Sequence, residues 1–303
     1  VGVGRTLAAA AGVAAAGLGW SLVEAHLFTL RRFTVPVLPA GERPLRVLHL
    51  ADLHLTPRQD DKIAWVRSLA ELEPDLVIDT GDNLAHVAAL PPLLHALEPL
   101  LGTPGAFVMG SNDYVAPVLK NPARYLLPDA RGPRRENLTP LPAAEMARAF
   151  ERAGWVDLDN RRGVTLADGR LISLVGVDDA HLDRDRFPAG AHDPAAVLRL
   201  GVTHAPYRRV LDRMVGDGAD LVLAGHTHGG QLAVPGWGAL VTNCDLDPAR
   251  AKGLHGWPGP RPDEPDGADS AWLHVSAGLG TSPFTPVRFA CRPEATLLTL
   301  VAH

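Results

Sequence analysis

The chain has 303 residues, which at ~150 per domain allows two domains or one large α/β domain; with 46% hydrophobic and 21% charged residues it is neither disordered nor collagen-like. A net charge of −5 gives no global positive field, which argues against a dedicated nucleic-acid binder. Two cysteines, Cys244 and Cys291, are too few for a disulfide framework and lack the paired spacing of a zinc ribbon; a reducing compartment fits, and a single disulfide stays open.

Residues 6–23 carry no charge and are mostly Ala, Gly, Leu and Val, preceded by Arg5. As a helix this stretch spans roughly 27 Å at ~1.5 Å per residue, enough to cross a bilayer. Residues 1–30 therefore read as a membrane anchor, with a cleaved signal peptide and an Ala-rich soluble helix as competing readings. Arg31, Arg32, Arg43 and Arg46 follow the segment and Arg5 alone precedes it, which favours a body on the cytoplasmic face. Residues 31–44, proline-bounded near their end, read as a linker, and 45–303 as one domain.

From residue 45 short apolar runs alternate with helical patterns. Strands are predicted at 45–50 (LRVLHL), 75–79 (DLVID), 106–109 (AFVM), 171–177, 200–203 and 220–224, and later at 272–276, 287–289 and 295–301. Helices are predicted at 60–72, 90–101, 143–153 and 207–215. This rhythm implies an α/β fold, a layered β-sandwich flanked by helices. Two stretches interrupt it: an insertion at 114–142, with six prolines and the basic cluster Arg131, Arg134 and Arg135, and a Pro, Gly and Asp-rich run at 253–269. Both read as surface loops, the first open to a lid or anionic-head-group role.

The reactive side chains fall at strand ends. Asp52 and His54 (ADLH) follow the first strand, Asp82 and Asn83 (TGDN) the second, and Asn112 and Asp113 (GSND) the third. His204 (VTHAP) and His226 with His228 (AGHTHGG) follow later ones. In open α/β sheets the carboxyl ends of strands form the ligand crevice, so these groups converge there. Singly, each is ordinary turn chemistry. Together, carboxylates, an amide and several histidines beside apolar strands carry a large desolvation cost unless they are hydrogen-bonded or bind cations, and mixed imidazole and carboxylate ligands suit Mn, Fe, Zn or Co.

The ordered blocks D-x-H, G-D-N, a G-N-like turn, an isolated His and G-H-x-H over about residues 45–240 resemble the calcineurin-like metallophosphoesterases. The G-H-T-H-G-G-Q run and the tail at 278–294 are similar to its bacterial membrane-associated branch. The resemblance implies two divalent metal ions, one held by Asp52, His54 and His228, the other by Asn112, His204 and His226, with Asp82 bridging. It implies hydrolysis of a phosphodiester or diphosphate bond by metal-activated hydroxide, on a small phosphate ester or a lipid-linked diphosphate. Asp82, Asn112, Asp113 and His226 would stand at the reacting centre. Asn83 and Arg288 would contact substrate, with a structural salt bridge the alternative for Arg288, and Asn83, Gly229 and Gly230 would otherwise position backbone or simply turn the chain.

The third block departs from the pattern: 110–113 reads Gly, Ser, Asn, Asp, without the histidine that normally assists the leaving group. A one-residue slip keeps Asn112 as a ligand, a more natural donor to a divalent cation than Ser111. Asp113 near two cations would stay ionised and be a poor proton donor. Leaving groups that depart as anions are then favoured, unless His86 or His181 supplies the proton. Asp178 and Asp179 shape the crevice or cap a helix. Two other classes remain: a metal-binding module of the same fold without turnover, and a nuclease, disfavoured by charge.

Overall fold

The computed structural model describes residues 2–119 and 138–303, with side chains from residue 11 onward. The cluster Arg131, Arg134 and Arg135 lies outside the described residues. The chain opens with helix α1 (Gly2–Glu24) and strand β1 (Thr29–Leu38). The first α/β half follows: β2 (Leu45–Leu50), α2 (Asp60–Ser68), β3 (Leu76–Asp79), α3 (Leu90–Leu97), β4 (Gly105–Phe107), the short α4 (Ser111–Tyr114), α5 (Ala143–Arg152) and β5 (Val156–Asp157). The second half comprises β6 (Arg162–Ala167), β7 (Arg170–Gly176), β8 (Leu198–Thr203), α6 (Arg208–Gly216), β9 (Leu221–Ala224), β10 (Gly253–Trp257), β11 (Ala271–Val275) and β12 (Glu294–Ala302).

These strands form two six-stranded sheets, ordered β1-β12-β2-β3-β4-β5 and β10-β11-β9-β8-β7-β6. Within them β2 to β5 run parallel, as do β7, β8, β9 and β11, while β12 is antiparallel to β2, and β6 and β10 are antiparallel edges. Strands buried on both faces read as unbroken apolar runs, which is why LRVLHL and LVLA are so legible. The sheets pack face to face through Val47, Leu76 and Ile78 from one and Leu174, Leu200 and Leu223 from the other. On the outer face of the first sheet, α2, α3 and α5 bury Val66, Leu93 and Phe150; on that of the second, α6 buries Val210, Leu211 and Met214. Phe150 meets Phe107 edge to face, with ring centroids 5.2 Å apart. The result is the expected sandwich flanked by helices.

Four expectations need correction. The stretch 31–44 is not linker throughout: its first eight residues belong to β1, paired in parallel with β12, with Val35 and Leu38 fully buried. Pro36 disguises it, and is tolerated because β1 is an edge strand that does not need every N–H. The run at 253–269 begins with β10, antiparallel to β11. Residues 287–289 form no strand; Phe289 makes an isolated bridge with Leu232. Finally, α1 forms where the anchor is expected, yet no helix among the described residues is long and apolar enough to cross a membrane. Its Ala and Gly content is the reason: small side chains contribute little apolar surface per residue.

Candidate metal centre

The site lies where β2, β3, β4, β8 and β9 end. Each strand stops at a sharp turn, and Asp52, His54, Asp82, His226 and His228 all take left-handed backbone conformations, with φ between 43° and 68°. For a residue with a Cβ that geometry costs on the order of 1 kcal/mol or more, and it persists where surrounding structure enforces it, characteristically at ligand sites. Gly81 (φ 88°) lets the TGDN turn pack against the next one, because a Cβ there would sit 2.4 Å from the Gly110 nitrogen. Hydrogen bonds from Asp52 N–H to the Gly81 carbonyl and from His54 N–H to the Asp82 carbonyl lock the first two turns together.

The histidines are oriented by backbone carbonyls. A carbonyl only accepts, so the nitrogen facing it carries the proton and the other faces inward with its lone pair. His204 Nδ1 donates to the Thr80 carbonyl (2.8 Å), turning Nε2 toward Asp82 Oδ1 at 3.6 Å. His228 Nδ1 lies between the Gly280 carbonyl (3.2 Å) and the Arg288 guanidinium (3.3 Å), and its Nε2 lies 3.2 Å from His54 Nε2 and 3.6 Å from Asp52 Oδ1. His226 Nε2 donates to the Asn243 carbonyl (3.1 Å), with Nδ1 3.3 Å from His204 Nε2. Burial holds His54 and His204 down near pKa 4, and His228 well below the usual imidazole range, so all three are neutral.

The carboxylates complete the centre. Asp82 Oδ2 is 3.5 Å from His54 Nε2 while its Oδ1 faces His204, so one carboxylate spans two groups of imidazoles. Asp52, fully buried, accepts from the His226 N–H; burial first, and then the charge of Asp82, push it well above the carboxylate range. Two donor sets, Asp52 with His54 and His228 and Asp52 with Asp82 and His204, each gather ligand atoms within 4.8 Å of one another. Converging buried carboxylates and neutral imidazole lone pairs fit divalent cations, which would relieve the repulsion between the acids. Asn112 lies beside this set: its backbone N–H donates to Asp82 Oδ1 (2.7 Å) and its side-chain amide N–H to Oδ2 (3.4 Å).

Three residues expected at the chemistry sit behind it instead. Asp113 accepts backbone N–H groups from Asp82, Asn83, Leu84 and Gly110, stapling the second turn to the third. Asn83 is buried with its amide donating to Asp79 Oδ1 (3.1 Å), beneath the turn. Arg288 is 0% exposed; its guanidinium donates to the carbonyls of Ala277 (2.7 Å), Gly278 (3.0 Å), Gly280 (2.7 Å) and His228 (3.3 Å), out of reach of a substrate. These groups looked reactive in sequence because the backbone donors and acceptors that occupy them are invisible there.

The remaining candidates divide. His181 packs its ring against His226, with centroids 4.7 Å apart, and its Nδ1 is 3.1 Å from the Tyr207 hydroxyl, so it borders the centre. His86 accepts from the Ala88 N–H and lines a separate groove of about 340 Å³. Asp179 caps a 3-10 turn through the N–H groups of His181 and Leu182, and Asp178 binds the Tyr114 hydroxyl (2.7 Å) and Arg184 (2.7 Å). Gly229 and Gly230 are turn residues at φ 60° and 81°. Cys244 and Cys291 are both buried and form no disulfide with each other.

Comparison with known proteins agrees with this geometry. The chain is 25% identical to an uncharacterized metallophosphoesterase, YkuE, of Bacillus subtilis over 99% of its own length and 95% of the relative's. It is 28% identical to the phosphodiesterase YaeI of Escherichia coli over 98% of each chain, and 25% identical to the UDP-2,3-diacylglucosamine pyrophosphatase LpxG of Chlamydia trachomatis, again over 98% of each. The family model for calcineurin-like phosphoesterases matches residues 45–230, the span that carries every one of the clustered histidines and acids. The chain therefore belongs to the calcineurin-like phosphoesterase family, and is a metal-dependent phosphoric ester hydrolase.

Proposed function

We propose that the chain hydrolyses a phosphodiester or diphosphate bond using two divalent cations. Asp52, His54 and His228 would hold one, Asn112, His204 and His226 the other, and Asp82 would be shared. The observation that carries this reading is the split of the Asp82 carboxylate, one oxygen toward His54 and the other toward His204. When bound, the cations supply a nucleophile from water at neutral pH and offset charge developing on the phosphoryl oxygens. The protein's own part is preorganisation: the carbonyls of Thr80 and Asn243 fix the tautomers of His204 and His226, the Gly280 carbonyl and Arg288 hold the His228 ring, and the Asp113 staple fixes the turns that bear Asp82 and Asn112.

Asp113 is engaged by four backbone N–H donors and is buried behind the centre, so it does not deliver a proton to a leaving oxygen. Leaving groups that depart as stable anions follow from this, a phosphate within a diphosphate or a phenolate rather than a simple alkoxide. A lipid-linked diphosphate meets that requirement, and the relatives named as pyrophosphatases of a diacylglucosamine nucleotide favour it; a bovine transmembrane protein with a metallophosphoesterase domain, 27% identical over 88% of this chain and covered over 56% of its own length, bears on membrane association alone. Membrane association through α1 is part of the same reading, with a cytoplasmic body favoured by the arginines that follow α1.

The test is turnover of an aryl phosphodiester by the full chain loaded with manganese, beside the Asp82→Asn variant. Losing the shared ligand should lower kcat by at least about a thousandfold and reduce the bound metal measured by elemental analysis. A fully loaded parent without turnover would identify a binding module instead, and an Asp82→Asn variant as active as the parent would remove the shared-ligand centre.

A further inference from the structure

Among the described residues, the large apolar side chains left exposed are not scattered. All but Val164 and Leu166 lie on α1 or on loops that leave the carboxyl ends of strands, the end at which the metal centre opens. The loop 231–240 after β9 is the most prominent: Leu232, Val234 and Leu240 are exposed, and Trp237 at its tip is 81% exposed. Phe284, in the loop after β11, is half exposed.

This loop and α1 are bound to one strip of chain. The last turn of α1 docks on it: Arg288 N–H donates to the Ser21 carbonyl (2.9 Å), and the Glu24 carboxylate accepts from the N–H groups of Ala290 (3.1 Å) and Cys291 (2.8 Å). On the other side Phe289 N–H donates to the Gln231 carbonyl (3.0 Å), Ala233 N–H donates to the Phe289 carbonyl (2.8 Å), and Gln231 Nε2 donates to the carbonyls of Thr285 and Val287. The same strip carries Arg288, whose guanidinium reaches the carbonyl of His228. Helix, loop and metal centre are thus held in fixed relation.

The chemistry of this face points to a bilayer rather than a protein groove. A groove buries one stripe of a helix and leaves a polar face, whereas α1 carries no charge from residue 6 to 23 and is open on every side between residues 11 and 20. An all-round apolar helix calls for an apolar medium on all sides. Tryptophans stand at its base (Trp20) and at the loop tip (Trp237), as at membrane interfaces, and the exposed Arg32 and Arg292 beside the base complement anionic headgroups. Since α1 alone is too weakly apolar to cross, the loop supplies the additional purchase.

We propose that α1 and the loop 231–240 form one bilayer-docking face, which holds the mouth of the metal centre at the headgroup level of an anionic membrane. The substrate is then presented from the lipid surface; that clause alone rests on the phosphoesterase reading above.

The experiment uses the full chain, vesicles of phosphatidylcholine with phosphatidylglycerol, and the double variant Trp237→Ser, Leu240→Ser. Both side chains are exposed, so the variant should melt at the parent's temperature. Co-sedimentation should show vesicle affinity falling by about tenfold or more, and quenching of tryptophan emission by brominated lipid should diminish in Trp237→Phe. Turnover of a soluble aryl diester should be unchanged, while turnover of a vesicle-borne lipid phosphodiester falls with binding. A parent that ignores vesicles, or a double variant that binds them equally well, overturns the proposal. So does self-association of the parent that the variant loses without vesicles, which would make the face a contact between copies. Vesicle binding with no hydrolysis of the soluble diester would uphold the docking face and sink the phosphoesterase reading instead.

Discussion

Arg288 shows how a residue's type can mislead about its role. An arginine near a phosphoesterase centre suggests a grip on substrate, but here the guanidinium is buried among carbonyls of 277–280 and of His228, and burial pulls its pKa down. Its work is to hold the loop that orients His228. Lysine keeps the charge but concentrates its donors at one point and cannot span carbonyls on two segments. Arg288→Lys should therefore cost about 3 kcal/mol of folding stability and weaken metal binding, while the KM for an aryl diester stays within about twofold. Urea denaturation and diester kinetics check this; a large rise in KM at unchanged stability would return Arg288 to the substrate. The ligand types themselves were legible because D-x-H, G-D-N and G-H-x-H name them. The carbonyls of Thr80, Asn243 and Gly280 that orient the imidazoles were not, since a backbone carbonyl leaves no mark in residue identity.

At the scale of elements, the turns after β3 and β4 are built to touch. A Cβ on Gly110 would fall 2.3 Å from Asp82 Oδ1, 2.7 Å from the Asp82 nitrogen and 2.8 Å from His204 Cε1. Gly110→Ala should push the two ligand-bearing turns apart, lowering metal affinity by at least about tenfold and stability by ~1–3 kcal/mol. Gly102→Ala, in a loop where a Cβ meets nothing within 4 Å, is the control and should change neither. Metal titration of both variants decides it: equal affinities would mean the turns adapt and their spacing is not what fixes the site. Strands whose residues are buried on both faces announced themselves by composition. Strand β1 did not, because two exposed arginines and Pro36 break its apolar pattern, and β10 hides behind Gly253 and Gly256, the latter held against the carbonyl of Pro260. Edge strands face solvent on one side, so their sequences carry a weaker signal.

At the scale of the whole molecule, the βαβ rhythm implied two helix-flanked layers, but not what lies between them. Near the centre of the sandwich His49, on β2, meets His274, on β11 of the opposite sheet, with Nδ1 atoms 2.9 Å apart, and His49 Nε2 is 3.0 Å from the Thr80 hydroxyl. Both are 0% exposed, and burial pulls His49 down to a pKa of about 3. An unfolded chain restores a histidine to ~6.5, so below that pH the unfolded state takes up a proton that the folded state refuses. Stability is therefore complete above pH 6.5 and is lost as pH falls toward 3, on the order of 4 kcal/mol from His49 alone over the full range. His49→Gln keeps a polar group for Thr80 but removes the titration. Between pH 7.5 and 4.5, with chelator present in both samples, the parent's unfolding free energy should drop by about 2–3 kcal/mol more than the variant's. The ligand histidines titrate in both proteins and cancel in that difference. Identical pH slopes in urea denaturation would show that the buried pair is protonated or hydrated in the folded state, and that the two sheets are not joined there by neutral imidazoles.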